Sequence, residues 1–127
     1  MRPHDPKLAL SATETESLRA MRSKISRPPP GDAALGVVGR AYFEVCARAG
    51  LPAAGDAGAV SAPALVEAAA SADMARLTAL LGSLRAVLQR SPAEWRAAIA
   101  AGAPQAVMSR RLALAGREAR LDVAEDA

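Results

Sequence analysis

Aromatic residues are nearly missing from this chain: its 127 residues include one tyrosine, one phenylalanine and one tryptophan. That excludes a large aromatic core. Tyr42, Phe43 and Trp95 must share the interior with a modest set of Leu, Val, Ile and Met. Hydrophobic residues make up 51% of the chain, but much of this is alanine, which favours helix and adds little buried area. The composition predicts thin, closely spaced helices of modest stability as a monomer, a shortage that a partner or a self-association seam would relieve.

Cys46 is the only cysteine, so neither an intrachain disulfide nor a cysteine metal cluster is available. Its apolar helical surroundings predict a small buried hydrophobe. The only histidine, His4, lies between Pro3 and Pro6, a poor place for a rigid site. No transition-metal cluster is expected, and Cys46 has no histidine in its own segment to activate it. There is no P-loop and no G-x-G-x-x-G, and most carboxylates sit at helix starts, in i,i+4 pairs or in the C-terminal tail. The expectation is a protein that is not an enzyme, with no catalytic, metal or cofactor-binding residues and no cofactor. No run of about 18 apolar residues is present, so no transmembrane helix is expected. Residues 1–7 lack the apolar stretch of a secretory signal. A cytoplasmic location without a membrane partner follows as the default.

What the chain does have is helical periodicity. Leu77, Leu81, Leu84 and Leu88 recur at spacings of four, three and four, and Leu35, Val38, Tyr42, Val45 and Ala49 at three, four, three and four. That is the period of helices packed along a seam, and no strand-like alternation competes with it. The expected fold is all-α: a bundle of four to five helices with an N-terminal helical appendage. A first helix starts near Ser11 or Thr13, each followed three residues later by a glutamate in capping-box spacing, and ends at Pro28, Pro29 and Pro30. Three prolines favour an extended polyproline spacer, which predicts that residues 1–30 stand apart and are dispensable for folding of the rest. Residues 31–117 would form the bundle and 118–127 an acidic tail.

Within the bundle, Asp32 is the expected N-cap of a helix to about Gly50, carrying Arg40–Glu44 and Glu44–Arg48 pairs. Gly36 and Gly39 on it predict close helix contact. A short helix follows from Ser61 and Pro63. Ser71 is the expected cap of the central helix, roughly 72–90, whose wide stripe includes Leu80 and Val87. Ser91-Pro92-Ala93-Glu94 combines an N-cap, a first-turn proline and a capping-box glutamate. A last helix begins after Gly102 at Pro104.

Charge is uneven. The net charge is +3 with 16 basic and 13 acidic residues; the last ten residues hold net −3, leaving +6 on residues 1–117. Fourteen of the sixteen basic residues are arginine, a pattern that GC-rich coding of a bacterial type produces. A basic body suits acidic surfaces, nucleic acid included, and equally a solvated surface.

Two functional readings result. The leading one is a non-catalytic binding protein, an adaptor or small regulatory or assembly subunit acting through contacts with a protein partner, itself or another. Its candidate partner-binding residues are Leu18, Met21, Arg22 and Ile25, a narrow apolar face on a basic helix that suits a groove on a partner. The second is a DNA-binding helix-turn-helix regulator. Residues 95–113 resemble that layout: a short helix, Gly102, then a second helix with Gln105, Ser109 and Arg110 on its early turns, residue types that read base edges. Ala98 suits a close crossing there, whereas Arg111 falls where a buried aliphatic is usual. The DNA reading requires Gln105, Ser109 and Arg110 to be exposed together on one face.

Overall fold

Each helix starts where a short polar side chain or a small residue releases the backbone from extended geometry. The computed structural model describes residues 9–53 and 61–126, with side chains described as far as Gly116. His4, Gly55, Gly58 and the acidic side chains beyond Gly116 lie outside the described residues. Among those described there are six helices and no strand: α1 Ala12–Ile25, α2 Asp32–Arg48, α3 Ala62–Ala70, α4 Met74–Arg90, α5 Pro92–Ala101 and α6 Ala103–Asp126.

The capping box of α1 forms in both directions: Glu14 N donates to Ser11 Oγ at 3.1 Å and Ser11 N to Glu14 Oε1 at 2.9 Å. Ser61 and Ser91 cap α3 and α5 by accepting from Ala64 N and Glu94 N, each at 3.3 Å. α5 ends at Gly102, whose φ of 85° is a conformation glycine adopts without strain. Three local expectations are corrected. Gly31, not Asp32, is the N-cap of α2, and Asp32 sits in its first turn. Asp73 rather than Ser71 caps α4, accepting from Arg76 N at 2.8 Å, while Ser71 terminates α3. Neither Arg40–Glu44 nor Glu44–Arg48 forms an ion pair among the described residues; Arg90–Glu94 does, at 2.7 Å. An exposed pair gains so little over hydration that sequence spacing alone does not decide which one closes.

The N-terminal helix is not an appendage. α1 packs against both α2 and α6, and Leu18 and Ile25 are fully buried, Met21 nearly so. The proline run is a clasp instead of a spacer. Prolines lack N–H donors but keep free carbonyls, and Arg96 on α5 donates to Pro29 O at 2.9 Å and to Pro30 O at 3.0 Å. All six helices therefore belong to one bundle.

The leucine-rich α4 is central, packing against α2, α3, α5 and α6, and it shares that position with α6. α6 contacts α1, α3, α4 and α5, and it buries Ala103, Val107, Met108 and Leu114. Small residues at its start let neighbours approach closely, while α4 turns Leu77, Leu80, Leu81 and Leu84 inward from one side. The α6 backbone continues helical to Asp126, through the segment expected to be a tail. The three aromatics meet in one cluster, with ring centroids of Tyr42–Phe43, Tyr42–Trp95 and Phe43–Trp95 at 5.1, 5.9 and 5.7 Å. Gly39 is where α2 approaches this cluster: a Cβ there would fall 2.7 Å from Leu88 Cδ2 and 3.3 Å from Trp95 Nε1. Gly36 shows no such approach.

Candidate functional site

The candidate partner-binding residues are used inside the chain. Leu18, Met21 and Ile25 face α2 and α6, and Arg22 donates through Nη1 to Ser109 Oγ at 3.0 Å. The same docking occupies the face proposed to read DNA. Gln105 Nε2 donates to Ile99 O at 3.2 Å and to Ser26 Oγ at 3.4 Å. Ser109 is exposed but accepts from Arg22. Arg110 turns to another flank of α6, where its Nε donates to Ala72 O at 2.8 Å. Residues 105 and 109 are one helical turn apart, whereas 110 is rotated by roughly 100° from 109 at 3.6 residues per turn. The three residues do not share an open face.

Tyr42 and Cys46 are neighbours in the core and chemically silent. Tyr42 Oη donates to Pro104 O at 2.8 Å, and burial, with the nearby Cys46 adding to it, holds its phenol well above the ordinary range. Burial pushes the Cys46 thiol up from 9 to about 12, with hydrogen bonding to Tyr42 opposing the shift. A thiol held protonated is not a nucleophile at neutral pH. The sign of the linkage follows. Both groups bind their protons more tightly folded than unfolded, so the stability they contribute is complete below pH 9 and lost as pH rises toward 12. From pH 9 to 10 the stability should fall by about 1 kcal/mol from Cys46 alone, the slope approaching about 1.4 kcal/mol per pH unit above pH 10, where Tyr42 adds to it. Urea melts across this window check it, and Cys46→Ala should flatten the first part of the slope.

Two concave features are built from residues that periodicity did not single out. One is a groove of about 280 Å³ between α2, α4 and the start of α5. Leu35, Leu88 and Pro92 supply its apolar part, and Asp32, Arg40, Arg85 and Gln89 its polar rim. Next to Gly36 in its wall is Val37, 58% exposed and the one large exposed hydrophobic side chain among the described residues. Arg85 is anchored across the groove's end by donating to Ala53 O at 3.2 Å, whereas Arg40 makes no ion pair among the described residues.

The other is a cleft of about 470 Å³ between the start of α1, the end of α2, the start of α4 and α6. Its polar wall includes Glu14, Arg48 and Arg111, and its apolar wall Leu10, Ala49 and Met74. Arg111 is 1% exposed. It occupies the inward stripe of α6, and its Nε donates to Ala49 O at 2.8 Å, closing off a carbonyl at the end of α2. The one sequence signal for this cleft was Arg111 itself, a charged residue where the stripe calls for an aliphatic. Among the described residues, no three His, Cys, Asp or Glu side chains gather into a group suited to a metal ion, and no helix is long and apolar enough to cross a membrane. No family model, curated protein or solved structure matches the chain.

Proposed function

We propose that this protein is a non-catalytic helical binding protein, a small adaptor, regulatory or assembly subunit that works through protein–protein contacts. The observation that carries the reading is the groove between α2 and α4; Val37, next in sequence to its lining residue Gly36, is exposed on the same helix. An apolar floor ringed by charged and polar side chains is the anatomy of a protein interface, where the buried centre supplies affinity and the rim supplies register. Leu35, Leu88 and Pro92 are the floor; Asp32, Arg40, Arg85 and Gln89 are the rim. The contact surface is thus transferred from the buried face of α1 to the outer side of α2 and α4.

A photo-crosslinking residue placed at Val37 or Gln89 tests this in cells expressing the protein from its own host. A discrete covalent adduct is expected from those two positions, with a second copy or another polypeptide, and Val37→Asp should suppress the adduct formed from Gln89. Equally exposed positions on other faces, Ser17 on α1 and Ala100 on α5, should give none. Labelling that is absent from both groove positions, or equal at all four, overturns the reading.

A further inference from the structure

We propose that the cleft between α1, α2, α4 and α6 is a binding site for a small organic carboxylate with an apolar body. The proposal is independent of the groove and stands on the chemistry of the cleft wall. Two guanidinium groups line it, Arg48 at the end of α2 and Arg111 from the middle of α6. Arg111 is 1% exposed, and a charge at low local dielectric acts on a ligand far more strongly than one in water. Its Nε donates to Ala49 O at 2.8 Å, which orients the guanidinium, and Arg111 makes a further interaction besides. Gly50 lines the cleft beside Arg111. Its φ is +86°, and a Cβ there would meet Met74 Cε at 3.5 Å and Arg111 Nη2 at 4.0 Å. Arg48 is the adaptable partner: it is exposed and makes no hydrogen bond or ion pair among the described residues, so its planar fork is free to take a carboxylate.

The same wall selects against other anions. Glu14 also lines the cleft, and with Arg48 and Arg111 it leaves a formal charge of +1. A monoanion neutralises that charge, whereas a phosphate dianion adds repulsion against Glu14. Leu10, Ala49 and Met74 supply apolar surface, which rewards a hydrocarbon body that chloride and inorganic phosphate lack. Glu14 accepts from Ser11 N at 2.9 Å and makes a further interaction besides, and its charge limits that of a ligand.

Backbone and arginine-side-chain NMR on the intact chain reads the site directly, with benzoate and hexanoate as probes and benzamide and inorganic phosphate as comparisons. Both carboxylates are expected to shift the Gly50 amide and the Arg111 Nε–H saturably at millimolar concentration. Benzamide should bind at least about tenfold more weakly, the factor expected from losing one charge-assisted hydrogen bond. Arg48→Glu should abolish the saturable shift of Gly50. Arg48 is an exposed side chain, so this variant keeps the fold, which an unchanged amide spectrum elsewhere verifies; Arg111→Met serves as the second, more invasive variant. Three results overturn the proposal: no saturable shift with either carboxylate, equal affinity for benzoate and benzamide, or phosphate binding more tightly than benzoate.

Discussion

A chain lacking residues 1–30 is expected to lose its cooperative thermal transition altogether. Leu18 and Ile25 are fully buried and Met21 is 7% exposed, and truncating one buried residue of this size to alanine costs about 2–5 kcal/mol. Deleting all three at once removes about 6–15 kcal/mol, which matches the roughly 5–15 kcal/mol by which a domain of ordinary size is stable. The loss is compounded on the other side of the contact, because the faces of α2 and α6 that α1 covers become wet. Circular dichroism on heating decides it. A truncated chain that melts within a few degrees of the full one would show α1 to be a passenger. The single substitution Ile25→Ala is the milder version and should cost about 2–5 kcal/mol by denaturant titration.

Trp95→Ala is expected to cost about 3–5 kcal/mol, the range for a buried large aromatic. Trp95 is fully buried, it contacts both other aromatics of the chain, and nothing else in an alanine-rich interior is large enough to fill its place. Its indole nitrogen is buried against Gly39 and Leu88 with no hydrogen-bond partner among the described residues. Trp95→Phe therefore sacrifices packing but no hydrogen bond, and it even removes an unsatisfied donor. The phenylalanine variant should lose well under half of what the alanine variant loses. Equal losses for the two would mean that the N–H is satisfied in solution and contributes to stability. Urea unfolding followed by circular dichroism measures both, since fluorescence disappears with the only tryptophan.

These two results bear on what could be read from the chain beforehand. Signals that act within a few residues were legible. The Ser11–Glu14 box, the Ser91 cap with Pro92 in the first turn and the Gly102 stop all appear where spacing placed them, because the physics of a cap is complete within one turn; Glu94, expected to close a box with Ser91, pairs with Arg90 instead. The inward faces of α1, α2 and α4 were legible for the same reason: the stripe is a property of one helix. What was illegible is which stripe meets which. The face of Leu18, Met21 and Ile25 looked like an arm waiting for a partner, and its partners were α2 and α6, the latter some 80 residues away in a chain of alanines with no distinctive complement. The prolines looked like a spacer because their carbonyls have no local consequence until Arg96 reaches them from α5. The cleft was hidden in the same way. Arg111 was visible as an irregularity in its stripe, but Arg48 and Glu14 read as ordinary surface charges until the fold set them around it.

The position of α6 has a consequence for how the protein folds. α6 touches α1, α3, α4 and α5, so each of those helices keeps part of its apolar face uncovered until the segment up to Leu114 is in place. A chain in which that segment has not yet docked exposes the surface that favours aggregation and proteolysis.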